Sequence, residues 1–371
     1  MRNLSVIALL VLVFLVTEVH STNWIGKLLK GLPIGLGCFF PPGDKIVLPY
    51  QLWDTFLFGF SQDKWFYFGA GDFIGNDGTE TTNLLTGLRV TAKGKNSKTG
   101  KPAFTLSIPQ EEDQTGDEII PPGLDHVKWL AFMNHASTKG YPGFDALDNY
   151  ELSFQTTISG QSYGNEKHPF GKNVKDVSSD LRLGAAAFNV IDFETFMVFD
   201  FFITNSKIYA FYERLPFGRG DVLGNYAAFS FQIPVADRDV DDFHNLKVSY
   251  DKSKGTVKWL IDNKVVFQVN KIGYLIDRKY MTLDHGGVET LVAPTQLDGG
   301  MGLFTLLDGS NPNGKGLVKL SSNPGEYYTP ANGNASPSFV DNDSKATSRL
   351  WGQGAELKMR KMEILNIRTG F

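Results

Sequence analysis

The chain is 371 residues long, 42% hydrophobic and 13% aromatic, with a formal net charge of −4. That hydrophobic share is enough to bury a full core, and the slight acidity argues against a nucleic-acid partner, which would want a basic stripe. Cys38 is the one cysteine, so an intramolecular disulfide is excluded and stability has to come from packing, for which 29 Phe, 13 Tyr and 6 Trp are the material.

In chain order, Arg2 gives a short basic start, an apolar run covers 6–16, and Val19-His20-Ser21 places small residues where a signal peptidase cuts. The run is about half the ~20 residues a membrane span needs, so 1–21 reads as a signal peptide and the protein as secreted and extracellular. No later segment is long and apolar enough to span a bilayer. Residues 22–40 form an amphipathic N-terminal segment, with Trp24, Ile25, Leu28, Leu29 and Leu32 apolar and Lys27 and Lys30 between them. Pro33 and glycines 31, 35 and 37 then break it. Such a segment suits a membrane surface, packing on the domain, or removal as a leader.

From Pro41 onward the pattern changes to short β-branched and aromatic runs divided by Gly, Pro, Asn and Asp. Strands are predicted at 65–68, 87–92, 103–108, 127–133, 150–158, 195–204, 207–213, 227–233, 246–251, 256–261, 265–269 and 356–367. Regular short strands with turn signals predict an all-β fold. The expected form is a jelly-roll β-sandwich of two antiparallel sheets occupying 41–371 as a single domain. A double lipocalin-like β-barrel is the alternative. Long polar loops at 91–101, 109–122 and 159–179 are placed to rim a cleft.

The loop from Asp72 to Thr79 is rich in oxygen donors and could take calcium, but it misses the EF-hand spacing and its terminal Glu, so a plain Asn-Asp-Gly turn competes. No other cofactor is expected. Beyond the leader the histidines are His126, His135, His168, His244 and His285, with no His-x-His or His-Glu-x-x-His pair to make a zinc site. His285, in Asp284-His285-Gly286-Gly287, is the candidate for acid–base work, because a neighbouring carboxylate orients an imidazole. Sequons at Asn334 and Asn342 mark 329–348 as a surface stretch open to glycosylation.

The segment 192–213, DFETFMVFDFFITNSKIYAFYE, carries most information. A two-residue turn at Asn205-Ser206 makes a hairpin in which Phe202 faces Tyr209, Asp200 faces Phe211 and Val198 faces Glu213. Strand alternation then gives one dry face and one face carrying Asp192, Glu194, Phe196, Asp200, Phe202, Tyr209, Phe211 and Glu213. Asp200 and Glu213 fall on a diagonal, ~7 Å apart or less. Rings among carboxylates suit a carbohydrate or another small neutral molecule, and two carboxyls at such a distance can share acid and base roles. Asp200, Glu213 and His285 are therefore the candidate catalytic groups; Asp192, Glu194, Phe202, Tyr209 and Phe211 are the candidate ligand contacts. The competing explanation is that these acids only solvate a sheet face.

The stretch 241–269, DDFHNLKVSYDKSKGTVKWLIDNKVVFQV, reads as a β-meander and resembles the concanavalin-A-like lectin and glucanase superfamily. The resemblance implies a jelly roll, and a superfamily of lectins, glycosidases and adhesive modules. Where laminarinase-like members alternate Glu, Asp and Glu on one strand, this chain has Asp192, Glu194 and Phe196. More widely, KWLAFMNH, GYPGFDA, VFDFFITN, YERLPFGR, DHGG, GMGLFTLLD and RLWGQGAEL resemble a secreted family of unassigned function. Carbohydrate binding, acid–base enzymology on the same face (a hydrolase, or an isomerase or cyclase of an apolar molecule), and a purely adhesive role all follow as expectations.

Overall fold

β-Branched and aromatic residues at alternate positions bury one side of a pleated chain and favour extended backbone, and runs of this kind dominate the computed structural model. It describes residues 47–70, 73–94, 104, 127–220, 222–310, 314–321, 326–328 and 337–369. Residues 1–21, the segment 22–40, Cys38, Asp72, His126, Asn334 and most of the strand expected at 103–108 lie outside the described residues. The strands in chain order are β1 Tyr50–Asp54, β2 Trp65–Tyr67, β3 Gly69–Ala70, β4 Phe73–Ile74, β5 Thr79–Asn83, β6 Gly87–Ala92 and β7 Val127–Met133. There follow β8 Phe144–Asp145, β9 Tyr150–Tyr163, β10 Ala185–Asp192, β11 Met197–Ile203, β12 Lys207–Arg214, β13 Phe229–Asp237 and β14 His244–Asp251. The last are β15 Thr256–Ile261, β16 Lys264–Val269, β17 Met281–Asp284, β18 Gln296–Phe304, β19 Gly316–Val318, β20 Phe339–Asp341 and β21 Gly354–Arg368.

Two antiparallel sheets hold nearly all of them. The first runs β16-β15-β14-β9-β21-β6-β5, with β1 also paired to β21. The second runs β17-β13-β12-β11-β10-β18-β7-β2, with β8 on β18. Each order ends on edge strands, so among the described residues neither sheet closes into a barrel. The molecule is a jelly-roll β-sandwich, and the double-barrel alternative is set aside.

The main core lies between the sheets. Phe154, Leu246, Val248, Trp259 and Leu357 come from the first; Trp129, Phe188, Phe199, Tyr212, Phe229 and Met301 come from the second. Each such side chain withdrawn from water contributes roughly 1.5–3 kcal/mol. Trp259 also ties sheet to sheet, its indole N–H donating to the backbone carbonyl of Asp200 at 2.8 Å. The alternate residues of the second sheet point away from this core and make a second apolar cluster. Leu130, Phe132, Ala187, Val198, Phe202 and Phe211 belong to it, joined by Leu181 and Leu306. The outer face of the second sheet is thus covered rather than solvated.

The hairpin β11–β12 has the register expected from its sequence: Phe202 opposite Tyr209, Asp200 opposite Phe211 and Val198 opposite Glu213. The segment before it does not. Asp192 ends β10 and pairs with Met197, so 193–196 is a reversing turn and not the start of β11. Phe196 closes that turn at a positive φ of 61°, and its backbone N–H donates to the carbonyl of Asp192 at 2.8 Å.

Candidate functional site

The outer face of the second sheet opens into a cavity of about 140 Å³. Its floor is built by strand alternation. Leu130 and Phe132 come from β7, Asn189 and Ile191 from β10, Val198, Asp200 and Phe202 from β11, and Phe211 and Glu213 from β12. Phe304 extends the floor from β18, packing edge-on to Phe202 at 5.4 Å, while Phe202 meets Phe211 at 4.8 Å. Thr282, Leu283 and His285 close one side. Leu306, Asp308, Ser321, Glu326 and Tyr327 cover it, and Leu215, Pro216 and Phe217 form a partly exposed rim.

The three groups expected to be catalytic, Asp200, Glu213 and His285, all line this cavity. Asp200 is buried, with Asn189 Nδ2 donating to Oδ2 at 2.6 Å and the Val190 backbone N–H to Oδ1 at 2.8 Å. Burial still dominates and holds its carboxyl well above the usual carboxylate range; the nearby Glu213 adds to the shift. Glu213 keeps part of its surface open and accepts a bond from Ser230 Oγ at 2.5 Å. Burial, reinforced by the charge of Asp308, pushes it up to about 7. His285 donates from Nδ1 to the backbone carbonyl of Glu326, an assignment that follows from the acceptor being a carbonyl. Burial pulls its imidazole down to about 4, so near neutral pH it is uncharged with a lone pair on Nε2. The turn carrying it is clamped by Arg219, which donates to the carbonyls of Tyr226, His285 and Gly286.

Of the residues expected to contact a ligand, Phe202 and Phe211 line the cavity; Tyr209 packs beside it and donates to the carbonyl of Ser179 at 2.8 Å. Phe202 and Phe211 are only 3% and 2% exposed, so they wall a pocket and are not open stacking platforms. Asp192 and Glu194 are not on this face. Even-numbered residues of β10 point into the sandwich, and the turn at 193–196 resets the alternation. Asp192 accepts from Thr195 Oγ1 and Gln296 Nε2, both at 2.5 Å. Glu194 takes Lys139 at 2.9 Å. Burial works to raise the Glu194 carboxyl, but bonds from Lys139, Gln296 and Thr295 hold it lower. This is a turn-pinning network.

Asn189, Asp308, Glu326 and Tyr327 are cavity residues that sequence reasoning passed over. Asn189 had a signal, as the one amide in the apolar run AAAFNVI; the other three arrive on covering segments that no strand pattern marks. Tyr327 donates to Asp308 Oδ2 at 3.2 Å. The remaining described histidines sit elsewhere. His135 stacks on Phe144 at 4.0 Å, His168 packs on Phe170, and His244 begins β14 beside Asp262 at 3.2 Å. In the loop considered for calcium, Asn76 bridges to Trp129 and the Asp77 backbone N–H donates to Lys128, as a turn packed on β7 would. Among the described residues no three His, Cys, Asp or Glu side chains are grouped to hold a metal ion. Asn342 is exposed in the turn after β20.

A sandwich whose second sheet carries a covered acid and aromatic pocket defines the class of protein. Residues 51–367 match the model of a family of unknown function, DUF6081, and the chain belongs to that family. It is similar to the uncharacterized protein L829 of Acanthamoeba polyphaga mimivirus, 36% identical over 293 residues, 65% of this chain and 62% of that relative. The chain therefore corresponds to less than two thirds of the relative's length. Among solved structures it is similar to an apo Crh5 transglycosylase, with TM-score 0.37 and 11% identity over 88% of each chain. A family-7 alginate lyase, A1-II′, gives TM-score 0.36 and 7% identity over 78% of this chain and 83% of that one. A Bacillus licheniformis beta-glucanase gives TM-score 0.36 and 8% identity over 85% and 96%. Likeness at this level carries no argument about the pocket.

Proposed function

We propose that the protein binds a small, ring-sized organic molecule in the cavity on the second sheet and exchanges a proton with it through Glu213. The observation that carries this is the convergence of Asp200, Glu213 and His285 on one apolar cavity whose walls push their protonation states apart. A carboxyl titrating near neutral pH is suited to both taking and giving a proton. Asp200, its carboxyl held well above the usual range and already accepting from Asn189 and Val190, sits beside Glu213 as a second acid, and the neutral His285 would accept a hydrogen bond at Nε2. Separated titrations of this kind mark acid and base assignments, and an apolar pocket with a few convergent polar groups is the usual form of a small-molecule site. An apolar cavity of roughly 150 Å³ takes up benzene, so the volume here suits one ring, a single sugar ring included, rather than a polymer.

We also propose that the protein is secreted, with 1–21 removed and sugar on Asn342; the N-terminal sequence and mass of the protein recovered from medium test this. The site itself is tested by adding ring-sized fragments to methyl-labelled protein. The methyl signals of Ile191, Val198 and Leu306 are expected to move together. Fragments that bind but leave those three unmoved would place the site elsewhere.

A further inference from the structure

The polar groups of the cavity are unbalanced. Asn189 is 4% exposed; its Nδ2 is committed to Asp200, and its Oδ1 has no hydrogen-bond partner. His285 spends its Nδ1 proton on the Glu326 carbonyl, leaving Nε2 as an acceptor. Glu213 accepts from Ser230 through Oε1 alone. These are three acceptor positions among the residues lining one small apolar space; the Thr282 hydroxyl, also without a partner, can accept as well, and among the described lining residues none is Lys or Arg. A buried acceptor left without a donor is costly, so the cavity is matched by an occupant that brings N–H groups of its own.

We infer that the ligand is a ring-sized primary amine, its ring against Phe202, Phe211 and Phe304 and its ammonium donating to Asn189 Oδ1, His285 Nε2 and Glu213. This rests on the cavity being a small-molecule site, as proposed above, and adds the ligand's charge. An ammonium has three donors and no acceptor, which is the complement of what the cavity offers. Aromatic walls add attraction for a cation. The titratable groups sharing the cavity with Glu213 are Asp200 from β11, His285 after β17, and Asp308, Glu326 and Tyr327 from the covering segments. Binding a cation there favours the ionised carboxyl, so the complex should release a proton when formed below neutral pH and bind more tightly above it.

Calorimetric titration with benzylamine against benzyl alcohol, and glucosamine against glucose, tests the charge and tells an aromatic ring from a sugar ring. The amine of at least one pair should bind more tightly than its neutral partner. Its affinity should rise on the order of tenfold or more from about pH 5.5 to about pH 8, the swing expected of one linked carboxyl titrating near neutrality. Glu213→Gln should flatten that dependence; the pH profile of the unaltered protein stands as a test even if the variant folds poorly. Neutral partners binding as tightly as the amines, or amine affinity that ignores pH, would overturn the inference while leaving the small-molecule site standing. If no member of either pair binds or moves the Ile191, Val198 and Leu306 methyl signals, the inference and the site fall together.

Discussion

Glu213 sits where a carboxylate is expensive: between Phe211 and Leu215 in the chain, opposite Val198, with Ser230 as its one described donor. Its folded pKa is raised, from the ordinary 4.5 to about 7. The stability it contributes is therefore fully present below pH 4.5 and is lost as pH rises through 7, a swing on the order of 3 kcal/mol. Glu213→Gln removes the titration, so urea unfolding should show the variant gaining on the parent by that order between about pH 4.5 and about pH 8. A constant difference across that range would mean that Glu213 is solvated. His285 acts in the opposite sense: its pKa is lowered to about 4, and its contribution is lost as pH falls from 6.5 through 4. Phe211 is a further case where burial changes the expectation. Were it an exposed platform, Phe211→Ala would spare the fold; at 2% exposure the truncation leaves a cavity and should cost roughly 3–5 kcal/mol in the same assay.

At the scale of elements, the hairpin β11–β12 was legible because its periodicity is strict and its turn is short. One register satisfies both the dry face and the Asn205-Ser206 reversal. What misled was the assumption that 192–196 continues β11. Asp192, Glu194 and Phe196 alternate correctly on paper, yet a four-residue turn after β10 moves Asp192 to the other face. The strands flanking the site were hidden for a different reason. β10 and β18 are buried on both faces, so neither shows alternation, and their Ala and Gly content argues against strand. The glycines of β18 are there for room. A Cβ at Gly300 would lie 2.5 Å from the Phe132 ring and 2.7 Å from the Ala131 carbonyl. Gly300→Ala should accordingly destabilise by roughly 1–3 kcal/mol, as overpacking does, and displace Phe132 in the cavity floor. Thermal melts unchanged by this substitution would show that β18 does not press on β7 as described.

For the whole molecule, short strands divided by turn signals were a reliable guide to a two-sheet β-sandwich, whereas the sequence did not distinguish an open groove from a closed pocket on the ligand face, which is covered. Sequence alternation identifies which residues leave the main core, but not what later residues lie over them; here Leu306, Asp308, Ser321, Glu326 and Tyr327 do so. With Cys38 as the only cysteine, thermal unfolding should be the same with and without reductant, and a melting point that drops on reduction would reveal an intermolecular bridge. If Asp200, Glu213 and His285 work as the proposed acid–base pocket, Glu213 is the group whose titration reports it. Carbon-detected NMR of protein labelled at glutamate carboxyls, assigned with Glu213→Gln, should find one glutamate titrating at about 7 that moves when a ring-sized ligand occupies the cavity. A Glu213 signal titrating near 4.5 and indifferent to every such ligand would contradict the account.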